Sequence, residues 1–160
     1  MSVPSLLLMW LSQVGAGDAR PEFLYLSNHF DTDGFAADGE PGDFDGTGAA
    51  MVPGQWSEER TLAVLSARFG AVEFVRPPTD GGSNNMVACR GQTIAVLTQR
   101  AHNVLFILGT AHGGEAMGWL RLGFKDGSEL ESPFGLSDWQ GEPRLGEEAA
   151  FSLQHRAGKG

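Results

Sequence analysis

The sequence predicts an all-β fold: one antiparallel β-sandwich of jelly-roll type with a single short helix inserted. Two observations carry that prediction. Twenty-three glycines and eight prolines break the 160 residues into short segments, and punctuation that dense favours many strands over long helices. Between the breaks, apolar residues recur at every second position, as they do along strands with one face turned inward. A chain of this length buries roughly 70% of the surface its unfolded form exposes, enough for a core without cross-links. Cys89 is the single cysteine, so no disulfide within the chain and no cysteine-based metal site can form. Beside Val87 and Ala88 it reads as a buried thiol rather than a nucleophile.

The elements follow in order. Residues 1–20 are set apart as a leader or linker. The apolar run Leu6 to Leu11 is too short to span a bilayer. It lacks the basic flank and length of a full signal peptide, so it makes a weak signal segment. On that segment a secreted or extracytoplasmic location is expected, with a cytoplasmic one left open. The domain is placed at 21–160. Phe23 to Leu26 forms a short strand apolar on both faces, and residues 27–56 form a loop rich in Gly, Asp and Asn. Ser57 to Phe69 is the predicted helix. Ser57 caps it, Glu58 and Glu59 sit where the dipole favours negative charge, Leu62, Leu65 and Phe69 follow helical spacing, and Gly70 ends it. The period then changes to two. Val72 and Phe74 mark a strand ended by Pro77-Pro78, and Met86–Cys89 and Thr93–Leu97 form a pair about Arg90-Gly91-Gln92. Val104 to Leu108 is apolar throughout, as in a central strand covered on both sides. Trp119 to Phe124 alternates: Leu120, Leu122 and Phe124 on one face, Trp119, Arg121 and Gly123 on the other. Asp126-Gly127 makes the tight turn to the next strand, Asp138-Trp139 falls in a loop, and Ala149–Leu153 is the last strand.

Twenty acidic side chains against eleven basic ones leave a net charge of −9. Nucleic-acid partners are excluded, because that affinity is built from Lys and Arg neutralising phosphates, and anionic membrane surfaces are excluded for the same reason.

The order of motifs resembles a known family. Asn28 to Gly34 followed by Gly42-Asp43-Phe44-Asp45-Gly46-Thr47-Gly48 is similar to the opening of galactose-binding-like β-sandwich domains, accessory modules of glycoside hydrolases and other carbohydrate-active proteins. Asn85-Met86-Val87, Gly91-Gln92, Leu108-Gly109-Thr110-Ala111, Phe124-Lys125-Asp126-Gly127-Ser128 and Asp138-Trp139 follow in the same order, over about residues 22–156. Residues 56–70 depart from the family by being longer and more helical. Members run on for one or two further strands, so the chain is expected to be a piece of a longer polypeptide or a variant that closes its sheet differently. The resemblance implies a galactose-binding-like jelly roll that holds a glycan without catalysis beside a catalytic domain. The alternative is a ligand-free structural module packed on such a domain.

Two groups of residues are singled out for chemistry. Between Arg20 and Arg60 there is no Lys or Arg, while Asp31, Asp33, Asp38, Glu40, Asp43 and Asp45 crowd one stretch. Calcium would relieve their repulsion, and the family tendency toward a structural calcium points the same way. Asp31, Asp33, Asp43 and Asp45 are the expected ligands, against the plainer reading of solvated Asp turns. Sugar recognition needs an aromatic face and planar polar groups. Trp56 and Trp139, with His112, Asn85 and Gln140, are the candidates, each Trp having the alternative of a packed lid. Trp119 has the character of an exposed platform or of half a second core face. No nucleophile elbow, zinc-protease motif, phosphate loop or dinucleotide fingerprint is present, so no enzyme activity is expected.

Overall fold

The computed structural model describes residues 3–12, 22–52, 59–80, 82–96, 98, 100–150 and 154–156. Ten strands run in order: β1 Val3–Ser12, β2 Glu22–Leu24, β3 Ala50–Val52, β4 Thr61–Ser66, β5 Gly70–Val75, β6 Val87–Ala88, β7 Val104–His112, β8 Ala116–Gly123, β9 Glu129–Leu136 and β10 Gln154–Arg156. Among the described residues there is no α-helix, only a 3-10 turn at Ser27–His29. No helix is long and apolar enough to cross a membrane.

One sheet organises the rest. β7 pairs antiparallel with β1 along almost its whole length, with one irregularity between Leu6 and Leu8. The other edge of β1 takes β2 at Met9–Leu11 and β6 at Ser5–Leu6. Residues 3–12, set apart by the sequence as leader or linker, are thus a strand paired on both edges, and the apolar run Leu6–Leu11 lies within it.

β7 is apolar on both faces because each face meets a core. Phe106 and Leu108 pack with Phe35, Phe44, Met51, Val64, Val72, Phe74 and Met86. Leu105 and Ile107 pack with Leu24, Leu26 and Val87, where Cys89 is also half-buried. The first cluster is covered by the β4–β5 hairpin and by β3, which pairs with β10. This is the predicted central strand, although β7 itself hydrogen-bonds one full strand rather than two.

The predicted helix is replaced by the β4–β5 hairpin. Ser57 and Glu58 lie outside the described residues, but Thr61–Ser66 pairs with Gly70–Val75 from Thr61↔Val75 to Ser66↔Gly70. The same residues satisfy either period in this stretch. Leu62 and Val64 point inward at a spacing of two, leaving Leu65 at 80% exposure, and the adjacent alternating strand Val72–Phe74 supplies a partner that a helix would lack. Gly70, φ 75°, belongs to the turn and caps no helix.

The expected pair about Arg90-Gly91-Gln92 also differs. β6 pairs with β1, and residues 93–96 form no strand. The Gln92 amide accepts from Arg90 N–H at 2.6 Å and donates to Ala88 C=O at 2.7 Å, taking the backbone groups a hairpin would use. Of the predicted last strand Ala149–Leu153, residues 149–150 form no strand and 151–153 lie outside the described residues; a strand is described at Gln154–Arg156.

β8 and β9 form the predicted hairpin, turned at Asp126-Gly127 with Phe124 N–H donating to Ser128 C=O. Counting from that bond, residues 129, 131, 133 and 135 direct their backbone groups away from β8. These are Glu129, Glu131, Pro133 and Gly135. A proline without an N–H and two carboxylates guard this edge against pairing with another strand.

Loop 31–49 is fixed by one buried side chain. Asn85 is 0% exposed; its Oδ1 accepts from the N–H groups of Gly34 and Phe35 at 2.9 Å, and its Nδ2 donates to Phe35 C=O at 2.6 Å and to Asp33 Oδ1 at 3.3 Å. Only glycine fits at position 34, where a Cβ would stand 1.9 Å from Met86 Sδ. Asn85→Ala would strand two donors and one acceptor in the interior, each costing ~1–3 kcal/mol. We expect a loss of about 3 kcal/mol or more, read from the urea midpoint at unchanged slope.

Candidate functional site

The acidic loop uses its carboxylates on backbone N–H groups, some of its own and some of residues 82 and 88. Asp31 Oδ1 accepts from Ala88 N–H at 2.8 Å, and its Oδ2 pairs with Arg90 at 2.8 Å. Asp33 Oδ2 accepts from Gly82 N–H at 3.1 Å, and Asp43 Oδ1 from Gly48 N–H at 2.7 Å. Asp45 Oδ1 takes the N–H and hydroxyl of Thr47 and the N–H of Ala49. Among the described residues no three of His, Cys, Asp or Glu stand where they could hold a metal ion, so the four aspartates expected to bind calcium are not gathered into one set.

Burial pushes the Asp33 carboxyl above its ordinary value, and Asp43 adds to the push against the bonds from Gly82 and Asn85. Burial opposes ionisation of Asp45 as well. There the bonds from Thr47 and Ala49, helped by the nearby His112, outweigh it and hold the carboxyl below its ordinary value.

This loop supports the rim of the sandwich through Phe44. Phe44 is buried, and its ring meets His112 edge-on at 5.8 Å and Trp139 at 5.4 Å. His112 and Trp139 are both half-buried, and Trp139 packs against the first core cluster. The end of β7 is laced to residues 137–139: Ala111 N–H donates to Ser137 C=O at 3.0 Å, and Trp139 N–H to Ala111 C=O at 2.9 Å. Asp138 then shapes two turns at once, accepting from Gly114 N–H at 2.6 Å and from Gln140 N–H at 2.9 Å. The Ser137 hydroxyl accepts from Arg144 N–H at 2.9 Å, and Glu147 accepts from the N–H groups of Ser137 and Leu145. Burial raises the cost of ionising Glu147, but these bonds prevail and keep it below the usual carboxylate range.

The result is a cleft of about 400 Å³ lined by Glu115, Ser137, Asp138, Gln140, Glu142 and Arg144 among others. Arg144 Nη1 faces Glu115 Oε1 at 3.7 Å, with both side chains largely in solvent. An exposed pair of this kind contributes little to stability, so both groups can turn to a ligand.

The predicted sugar-contacting residues divide accordingly. Gln140 lines the cleft and Trp139 lies beside it in the chain; His112 belongs to the aromatic support beneath. Asn85 is an interior staple with no route to solvent, and Trp56 lies outside the described residues. Glu115, Glu142 and Arg144 also line the cleft and were not singled out; for Glu142 and Arg144 the one signal was the polar turn Gln140–Arg144 following Asp138-Trp139.

A second exposed surface lies on the β8–β9 hairpin. Met117, Trp119 and Arg121 share a face with Glu131, Pro133 and Gly135, Trp119 standing directly opposite Pro133. Trp119 is 72% exposed, and Arg121 Nε donates to Glu131 Oε1 at 2.7 Å. The other face carries the half-buried Leu120, Leu122 and Phe134.

Layered strands about a shared core, with an open polar cleft at the rim, define a non-helical β-sandwich domain. Within that class, the sequence model of the AziU2-like beta-sandwich domain family matches residues 22–144, and the chain belongs to that family. No curated protein matches the chain, and no solved structure does.

Three melting experiments follow. A carboxylate held low in the fold stabilises above its unfolded value, near ~3.9, and loses that contribution as pH falls through the folded one. Asp45→Asn should therefore lower Tm at pH 7, with the deficit closing toward pH 3. Asp33, held high, contributes below its unfolded value and loses that as pH rises through the folded one, so the effect of Asp33→Asn on Tm should be more favourable at pH 7 than near pH 3. With the aspartates engaged on backbone donors, Tm should be the same in millimolar calcium as in chelator; a rise with calcium would show that they gather around the ion.

Proposed function

We propose that this domain is a non-catalytic glycan-recognition module that takes its ligand at the rim cleft between residues 114–115 and 137–144. The observation that carries the reading is the cleft itself: planar amide, carboxylate and guanidinium groups from Gln140, Glu142, Glu115 and Arg144 converge on an open hollow of about 400 Å³. Such groups match the paired hydroxyls of a sugar, which both donate and accept. Trp139 and His112, packed on Phe44, stiffen the floor from which these turns project.

Binding without bond-breaking is favoured by what the carboxylates already do. Asp138 is committed to two backbone N–H groups that shape the rim and Glu115 faces Arg144, so both carboxylates already have partners of their own. A neighbouring catalytic domain of a carbohydrate-active enzyme is the proposed partner, and an extracytoplasmic setting suits a polysaccharide ligand.

Affinity electrophoresis through gels containing β-1,4-glucan, β-1,3-glucan, β-1,4-mannan or α-1,4-glucan tests the reading. Retardation by at least one polysaccharide is expected. It should fall roughly tenfold in Gln140→Ala and in Arg144→Ala, the loss of one or two hydrogen bonds to a charged or planar group. Unretarded migration in every gel would refute it.

A further inference from the structure

We propose that the rim cleft and the outer face of the β8–β9 hairpin form one continuous track, so that the ligand is the interior of an extended polysaccharide chain rather than a chain end or a single sugar. The inference rests on the glycan reading above and adds a stacking site at Trp119, with Arg121 and Glu131 as its polar flank.

Continuity is built at the base of the hairpin. A Cβ on Gly135 would stand 2.6 Å from Met117 Sδ and 2.8 Å from Leu145 Cδ1. The missing side chain lets Met117 and Leu145 close over the strand and join the two surfaces. Leu145 follows Arg144, which lines the cleft, and Ala116 follows Glu115, which lines its other wall. From that junction the same face of β8 presents Met117, Trp119 and Arg121 at alternate positions. The strand from Ala116 to Arg121 adds ~17 Å to the cleft, at ~3.4 Å per residue.

The chemistry along this track alternates as a sugar polymer requires. Trp119, 72% exposed, offers an apolar face to the C–H side of a ring. Arg121, hydrogen-bonded to Glu131 and 4.0 Å from Glu129, follows Trp119 on the same face of the strand and offers its guanidinium to ring hydroxyls. Among the described residues Trp119 stands open to solvent, whereas pockets for small ligands enclose most of the ligand surface. A single ring would be held on one side only, and a chain gains affinity from successive weak contacts.

A protein partner fits less well. The exposed face of two strands over this length is on the order of 200 Å², against roughly 800 Å² per partner in a stable protein interface. Strand addition at the β9 edge meets Pro133 and two glutamates.

The test uses oligosaccharides of two to six rings cut from whichever polysaccharide retards the protein, titrated by calorimetry against the full chain. The six-ring ligand should bind at least tenfold more tightly than the two-ring one. Trp119→Ala should remove that advantage while leaving two-ring affinity within twofold, and Trp119→Phe should restore part of it; unchanged circular dichroism and Tm in both variants show that the fold is kept. Equal affinity for short and long ligands, or six-ring binding unaffected by Trp119→Ala, would overturn the continuous track while the cleft reading survives. Retention by no polysaccharide would overturn both. A native dimer in sedimentation that Trp119→Ala dissociates would assign the face to a second copy and overturn the track as well.

Discussion

The fold depends on a side-chain amide that has been taken out of water and given every partner it can use. Asn85 supplies two acceptor positions and two donors, and the backbone of Gly34 and Phe35 with the Asp33 carboxylate fills all four. A buried amide that is fully satisfied specifies one geometry, because any slip leaves several polar groups unpaired in a low-dielectric interior. The consequences run outward along the chain. Phe35 is driven into the core and bridges Met51, which sets β3 and with it β10. The same loop delivers Phe44 beneath His112 and Trp139, and those two residues carry the turns that form the cleft. The cleft on the rim loops therefore inherits its rigidity from a side chain placed well away from it.

How much of this was legible in the sequence depended on whether the signal was local. The β8–β9 hairpin was, because strict alternation and Asp126-Gly127 leave one way to pair. So was the two-sided burial of β7, since five consecutive apolar residues have no polar face to present. The β4–β5 hairpin was not: Leu62, Leu65 and Phe69 fit a helix as well as Leu62 and Val64 fit a strand, and tertiary pairing with residues 71–75 decided between them. The strand Val3–Ser12 was hidden for a related reason. Its long partner at 104–112 and the short one at 87–88 are remote in sequence, and the near one, Glu22–Leu24, covers only Met9–Leu11.

The candidate site was legible by residue type and opaque by position. An asparagine and a histidine near glycine-rich loops are equally apt for a ligand and for a scaffold, and only burial separates the two. Asn85 proved to be scaffold, His112 half of one, and Gln140 surface. The aspartates show the same ambiguity. Acid crowding suggests a cation, yet a short carboxylate beside glycine turns can satisfy backbone N–H groups instead, and each of the four does so. In the β8–β9 hairpin the alternation was plain, but that its outward face would remain uncovered followed from the packing of Phe134 and Leu136 on the opposite side.

The long pairing of β1 with β7 governs when this protein can begin to fold. Nearly a hundred residues separate the partners, and closing so distant a contact is slow compared with forming a local hairpin. At ~5–20 residues per second of synthesis, the first strand leaves the ribosome many seconds before its principal mate exists. Through that interval the β4–β5 hairpin can form alone, whereas the central sheet stays open and its apolar strand has no native neighbour along that edge. Nascent-chain protection by a chaperone would therefore matter most before residue 112 emerges, and least for the segments that already fold on their own.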